Sequence, residues 1–527
     1  MQIIDAVIGL DVGTSSMKGL VIDAKGNLLV EREMAYHLYS PRPSWVEQDP
    51  EEWWQSAVAV LRQLADFIEE KKIHVQAISM SGQMNGAVLL DSHGNVIRPC
   101  ILWADGRTVE ECGEITRRVG SQRLIAITGK PAVTGYTAPK ILWVRNHEPE
   151  QFARIRHLLL PKDYITFRLS HELFTDASDA SNTLLYDINN RAWSSQIIAM
   201  LEIDEAILPA VRSSVEIVGR LSDELAKITG LSEGLPIVVG AGDSIAEAVG
   251  NAVIDTGPVL SVVGSAGNIS ATCREPVIDG FGRIHTGCHA IEGRWIVTGV
   301  QQSAGLSIRW LLENLELFEE LRRTHAEQDP YDLMIEQVDS VPEGADGLVF
   351  LPYLAGERTP HLNPLASGVF FGITVNHHRA HLVRAVLEGI AFAQFDAINL
   401  LKNLSIPANY LIASGGGARN PTWHQIIADI TALDVYYIDK SRKGAAFGAA
   451  LLGAVGAGIF PNVDVACKEC IALSQSARPR DSVRTVYEQA YALYKELYVQ
   501  LQPLFNKYAH DGGIYGMATR VEMAGGS

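Results

Sequence analysis

The chain has 527 residues, of which 47% are hydrophobic and 20% charged, and its 61 acidic against 44 basic side chains leave a formal net charge of −17. That length is too great for one ordinary core and suits two large domains. The acidic balance argues against nucleic acid or an anionic membrane as partner, while a local anion site can still oppose the global sign.

The start, Met1-Gln-Ile-Ile-Asp5, lacks the basic flank of a secretory leader, and apolar runs are cut by Gly, Asp or Pro before reaching spanning length. Six scattered cysteines suit reduced thiols, so a cytoplasmic location is expected. Cys467-Lys-Glu-Cys470 lacks the second pair or nearby His of a zinc site.

The apolar run Ala6–Leu10 enters Asp11-Val-Gly-Thr-Ser-Ser-Met-Lys18, and Gly19–Asp23 leads out, which reads as a β-hairpin with a turn that lacks bulk. Gly13 is expected to adopt backbone angles closed to other residues, so that successive N–H groups converge. With the hydroxyls of Thr14 and Ser15, such a turn is a phosphate cradle. Asp11, at the strand end, is placed to hold Mg²⁺ through water. The same pattern alone also fits an ordinary hairpin with small turn residues.

Asp49-Pro50 is a natural N-cap and first helical residue, and the periodicity predicts a helix to about Lys72. A buried strand over Val75–Met80 ends in Ser81-Gly-Gln-Met-Asn-Gly86, where the amides of Gln83 and Asn85 suit sugar hydroxyls. Trp103 could lie against a sugar's C–H face, and Arg107 is better explained as a structural partner of Asp105. Leu158–Lys162 reads as a strand and Thr137 as a helix cap.

Leu235–Gly242 is a parallel-type strand that runs into Asp243 and a helix from Ser244 to Ala252. Asp243 is placed like a general base, with helix capping as its competing role. The domain boundary is expected near Val253–Gly257.

The opening device then recurs: strand Val259–Val263, turn Gly264-Ser-Ala-Gly267, return strand Asn268–Thr272. Two such hairpins half a chain apart suggest a duplicated domain that clamps a nucleotide between the halves. Further on, Gly415-Gly-Gly417 between a strand and the helix Pro421–Thr431 would let a flat ring approach the backbone, as an adenine pocket requires. Gly444–Gly453 reads as a small-residue helix for close packing, and the Gly-rich end as a mobile tail.

Taken together these segments resemble the FGGY family of carbohydrate kinases, and within it the xylulokinase branch, over nearly the whole chain to about Tyr498. The likeness is carried by Gly135–His147 (Lys140, Trp143, Asn146), Gly368–Glu388, Ser81–Val88, Trp103–Arg107, Pro161–Asp163, Asp179–Leu185 and Gly356–Pro360. It implies an α/β architecture of two ribonuclease-H-like domains of the actin and hexokinase type, with an active site in the interdomain cleft. The expected divisions are residues 1–254, 255–505 and a flexible tail over 506–527. The resemblance further implies ATP and Mg²⁺ as cofactors, Asp243 as proton acceptor and Asp11 as the acid near the metal. It puts Thr14, Ser15, Lys18, Gly264 and Ser265 at the phosphates and Gly305, Arg309, Gly416 and Asn420 at the nucleotide. Gln83, Met84, Asn85, Trp103, Asp243 and Ser244 fall at the sugar.

Four positions depart from the xylulokinase pattern: Asn85 replaces a His, Ala104 an Asn, Ser244 an Asn or Gln, and Ala266 a Ser. The first three cluster near the sugar, so the kinase chemistry is better supported than the identity of the sugar. The expectation is transfer of phosphate from ATP to a terminal hydroxyl of a small ketose, D-xylulose first, another ketose or a polyol second. A non-catalytic sugar- or nucleotide-binding regulator and an ATPase of the actin type are the readings from other classes. A homodimer is compatible with the sequence, which carries no signal for or against it.

Overall fold

The computed structural model describes residues 4–315, 329–416, 420–438 and 444–510. They group into two compact units. The division is not a single cut near residue 254: the first unit comprises Met1–Thr256 together with Thr272–Val297 and Ile438–Ala472, and the second takes the remainder.

Among the described residues the first unit is built on a six-stranded sheet. Its strands are β1 (Ile4–Val12), β2 (Ser16–Asp23), β3 (Leu28–Ala35), β4 (Ile73–Gly82), β5 (Ile217–Arg220) and β6 (Pro236–Gly242), in the order β5-β6-β4-β1-β2-β3. β1–β2–β3 is an antiparallel meander, and β4 and β6 run parallel to β1. Parallel neighbours need crossovers, and these are helical. One is α1 (Pro50–Lys71), which starts where the sequence says it should: Asp49 caps it by accepting from Glu51 N at 2.9 Å, and Pro50 is its first residue. It stops at Lys72, which adopts the left-handed conformation with φ 55°. Trp53, Ala57, Val60, Leu61 and Leu64 form its buried face against the meander. Burial of each of these leucines is worth about 1.5–3 kcal/mol.

The sheet's other face is covered by two helices from distant parts of the sequence, α3 (Asp243–Gly250) and α7 (Ala445–Gly456). Glycine is required where they meet. A Cβ at Gly9 of β1 would sit 2.0 Å from Ala446 O, and one at Gly448 of α7 would sit 1.8 Å from Ala246 O. The small-residue stretch 444–453 therefore packs as expected, but on the opening strands of the chain rather than within the second half.

In the second unit the central strands repeat the same plan. They are β7 (Gly257–Val263), β8 (Gly267–Cys273), β9 (Trp295–Gln301), β10 (Ala408–Gly415) and β11 (Asp434–Ile438), in the order β9-β8-β7-β10-β11. β7 and β8 are antiparallel, while β7, β10 and β11 are parallel. Helix α4 (Gly305–Asn314) follows β9, and α5 (Arg379–Asn403) and α6 (Pro421–Thr431) complete the layer, with Trp423, Ile426, Ile427 and Ile430 buried as the pattern predicts. This duplicated order is that of two ribonuclease-H-like domains.

Two local expectations are corrected. The run 158–162 is divided between a short strand, His157–Leu159, and a helix that begins at Pro161, because proline fits the first helical turn and cannot donate to a ladder. At the C-terminal end, helix α8 (Arg484–His510) carries residues 506–510, so a tail that starts at 506 is set too early. The expected tail beyond 510 lies outside the described residues.

Candidate active site

In the first unit the site gathers at the ends of β1, β4 and β6. Asp11 Oδ1 accepts from Ser81 Oγ at 2.5 Å, and Lys18 stands directly across from Asp11 in the β1–β2 ladder. Burial pushes the Asp11 carboxyl up, against the Ser81 hydrogen bond and the Lys18 charge. Lys18 itself pairs with Glu31 at 3.6 Å and is part-exposed.

Asp243 is the first residue of α3, directly after the buried strand end Gly240-Ala-Gly242. Burial, then the nearby Asp11 carboxylate, raises its carboxyl to about 8. Part of its surface remains open, so the cause is a recess at the strand ends rather than a sealed core. Capping does not account for it: among the described residues its carboxylate bonds only the next N–H, Ser244, at 2.6 Å, and no side chain caps this helix.

The glycines before Asp243 have separate causes. Gly240 has φ +76°, and a Cβ there would lie 1.7 Å from Met80 O, while a Cβ at Gly242 would meet the Met84 side chain at 2.7 Å. Met84 Sδ also takes the Ser244 hydroxyl at 3.1 Å. The segment Gln83-Met84-Asn85 is thus held beside Asp243. It presents two buried acceptors with no partner among the described residues, Gln83 Oε1 and Asn85 Oδ1. Asn85 has φ +69°, and its backbone carbonyl is fixed by Lys140 Nζ at 2.7 Å and Thr137 Oγ1 at 3.2 Å. Thr137 is therefore a brace for the 83–85 segment at the first residue of its helix (α2, Thr137–His147) rather than the cap. The Lys140 ammonium is depressed to about 7 by burial.

The turn Gly13–Ser16 differs from the expected cradle in one respect. Gly13 is not in the left-handed region, and its N–H is taken by Ser16 O at 3.0 Å. Glycine is needed there because a Cβ would come within 3.0 Å of that carbonyl. The N–H groups of Thr14 and Ser15 carry no hydrogen bond among the described residues, so the donors lie one and two residues later than the glycine. Trp103 is 48% exposed, and its Nε1 donates to Thr14 Oγ1 at 3.1 Å, which brings the aromatic candidate to the turn. Arg107 is structural: it forms a two-pronged pair with Asp105, reaches Glu47 at 2.7 Å and lies over Trp45 and Trp143.

Sequence reasoning gave no role to a fully buried charge cluster behind β6. Lys162 Nζ lies 2.5 Å from Asp163, 3.0 Å from Asp176 and 3.5 Å from Asp179. Burial raises Asp179 well above the carboxylate range, and the Asp243 charge adds to it. Ser178 links the cluster to the end of β6, accepting from Gly242 N at 3.0 Å. Pro161–Asp163 and Asp179–Leu185 carried part of the family likeness, but the pattern of Lys-Asp followed by two further acids reads equally as surface charge and assigned no role to any of them.

The second unit holds a cavity of about 390 Å³ at the ends of its own parallel strands. Gly264, Ser265, Gly305, Arg309, Gly416 and Asn420 all line it. Among the described residues Gly264 and Gly416 have no neighbour nearer than 3.7 Å to a Cβ, whereas Gly305 is a packing glycine whose Cβ would strike Gly264 O at 2.4 Å. Arg309 donates to Ser265 Oγ at 3.1 Å, and Asn420 caps α6 while donating to Asp332 Oδ1 at 3.3 Å. The sequence reading missed Ile308, Tyr331, Asp332 and Ile335 in this lining. Asp329-Pro330, a helix-start signal, could have flagged the last three. Of the triple glycine, Gly417 lies outside the described residues.

The FGGY family of carbohydrate kinases matches through its N-terminal domain over residues 6–250 and its C-terminal domain over 258–457. The chain is 36% identical to a xylulose kinase of Escherichia coli (strain K12) over 94% of this chain and 99% of that protein. A gluconokinase of Bacillus licheniformis is 28% identical over 96% of this chain and 98% of that protein. A solved structure described as a xyloylose kinase from Brucella ovis superposes with TM-score 0.88 at 32% identity, covering 95% of this chain and all of the other. The chain belongs to the FGGY family of carbohydrate kinases and is an ATP-dependent sugar kinase with that family's two-domain fold.

Proposed function

We propose that this kinase phosphorylates a terminal hydroxyl of a small ketose, D-xylulose foremost, with Asp243 as the base. The observation that carries the proposal is the recess beside Asp243, where the buried acceptors Gln83 Oε1 and Asn85 Oδ1 lack partners. Unpaired buried acceptors cost stability unless a ligand supplies donors, and a polyhydroxylated sugar supplies them in series. Trp103 adds an apolar face for the sugar's C–H edge.

The acceptor hydroxyl gives its proton to the Asp243 carboxylate as its oxygen attacks the γ-phosphorus and the bond to ADP breaks. A base tuned near the working pH suits this step. Phosphoryl transfer otherwise rests on positioning and charge neutralisation. The free N–H groups of Thr14 and Ser15, with Ser265 and Arg309 in the second unit, are suited to phosphate oxygens, and Gly264 and Gly416 leave room for the nucleotide. Asp11 fits a Mg²⁺ ion: Ser81 occupies one oxygen, the second stays available, and its repulsion with Asp243 is relieved by positive charge. Bound there, Mg²⁺ supplies charge against the phosphates.

The gluconokinase relative and the changes at Asn85, Ala104 and Ser244 favour a second reading, another ketose, a polyol or an aldonate. A panel of D-xylulose, other pentuloses, hexuloses, glycerol and gluconate in a coupled ADP-release assay separates them. D-xylulose should give the highest kcat/KM. A higher value for another acceptor overturns the ketose assignment, and turnover independent of any acceptor overturns the kinase step.

A further inference from the structure

The backbone carbonyls of the turn Gly13–Ser16 are all capped from within the first unit. The Tyr36 hydroxyl lies against the carbonyls of Gly13 and Ser16, and Tyr36 N donates to Ser15 O at 3.3 Å. Thr14 O takes Gln48 Nε2 at 2.7 Å. With its carbonyls all occupied, the main chain of this turn presents donors alone.

Gln48 does more than cap. It sits in the two-residue strand Glu47–Gln48, paired with Cys100–Ile101, immediately before the Asp49 cap of α1, so its backbone is fixed on both sides. Its side chain is buried, and every hydrogen-bonding position on it is filled. Nε2 donates to Thr14 O and to His37 O at 3.2 Å; Oε1 accepts from Trp53 Nε1 at 3.1 Å and from Gln83 Nε2 at 2.8 Å. These four partners fix the orientation of the amide. Gln83, also buried, spends one amide hydrogen on Gln48 and its backbone N–H on Val12 O at 2.8 Å, and its Oε1 is left without a partner.

We infer that Gln48 is a positioning residue that couples acceptor binding to the phosphate turn through the relay Gln83–Gln48–Thr14. A donor from the sugar on Gln83 Oε1 polarises and orders the Gln83 amide. That strengthens its bond to Gln48 Oε1, and the Gln48 amide in turn holds Thr14 O more firmly. The turn's N–H groups are then set for phosphate when an acceptor is present. The inference rests on the reading that Gln83 faces the sugar and that Thr14 and Ser15 face phosphate.

The test uses the full chain with its best acceptor and compares Gln48→Met, Gln83→Met and the double variant. Each single variant should raise both the sugar KM and the ATP KM, although Gln83 lies at the sugar end of the relay and touches no part of the phosphate turn's carbonyls. kcat/KM should fall about 10- to 100-fold, and the ratio of acceptor-free ATP hydrolysis to sugar phosphorylation should rise. The double variant should be no worse than the worse single one, within about twofold. Gln83→Met spares Gln48 and its bond to the turn, so it reports even if Gln48→Met fails to fold. A Gln83→Met enzyme with a raised sugar KM but an unchanged ATP KM and hydrolysis ratio overturns the relay, as do strictly additive losses. If wild-type enzyme phosphorylates no acceptor in the panel, the functional reading fails; an active wild type whose Gln83→Met variant keeps the ATP KM and the hydrolysis ratio defeats the relay alone.

Discussion

At the scale of single residues, the account turns on a carboxylate kept in an unfavourable place. Asp243 is raised from 3.8 to about 8 by burial and by Asp11. Below pH 3.8 both folded and unfolded chains carry it protonated, and no stability is at stake. As pH rises towards 8 the unfolded chain ionises it while the fold resists, so stability is progressively lost and the loss levels off above 8. Asp243→Asn, which never ionises, should therefore melt at a higher temperature than wild type in metal-free buffer at pH 8, with the gap closing towards pH 4. Thermal melts across that range check the sign. The same variant should lose about 10²–10⁴-fold in turnover, as a group that destabilises the fold for the sake of chemistry would.

At the scale of elements, what could be read from the sequence depended on how local the cause was. The start of α1 was legible because Asp49 and Pro50 act within one turn. So was the placement of Asp243 between a strand end and a helix start, because strand, glycines and acid are contiguous. The capping of the Gly13–Ser16 turn was not legible: its partners, Tyr36 and Gln48, lie 20 to 35 residues away and look unremarkable in sequence. Gly13 was assigned to left-handed backbone when crowding against Ser16 O is the cause. The site residues themselves came mostly from motif likeness, and the structure adds the supporting contacts that motifs omit. Two substitutions test those contacts. Gly448→Ala drives a Cβ to 1.8 Å from Ala246 O and should destabilise by about 1–3 kcal/mol or more through overpacking of α7 on α3. Lys162→Met removes the buried cation that faces Asp163, Asp176 and Asp179 and should cost about 3–5 kcal/mol. Denaturant unfolding measures both, and a neutral result for Lys162→Met would mean that the cluster is already discharged by protonation.

For the whole molecule, the duplicated sheet order explains why two hairpins with bare turns appear half a chain apart: each opens a unit of the same plan. The plan was readable from the repeat, but the membership was not. α7 and the segment Thr272–Val297 join the first unit by contacts that no local pattern announces. The two units also carry different loads, with unpartnered acceptors beside Asp243 in the first and the 390 Å³ cavity in the second. Gly305→Val should therefore raise the ATP KM by tenfold or more, since a displaced Gly264–Ser265 turn loses well over ~1.4 kcal/mol of binding. Acceptor binding measured calorimetrically without nucleotide should be unchanged. Loss of acceptor binding in that variant would show that the loads are not separable.

The central claim is that the carboxylate at 243 takes the proton of a sugar hydroxyl as phosphate moves to it. Its most direct test follows label from γ-labelled ATP into D-xylulose with wild-type and Asp243→Asn enzyme, alongside nucleotide affinity for each. The account predicts labelled sugar phosphate from wild type, transfer lower by at least about 10²-fold in the variant, and nucleotide affinity within a few-fold of wild type. Near-wild-type transfer by Asp243→Asn would contradict it.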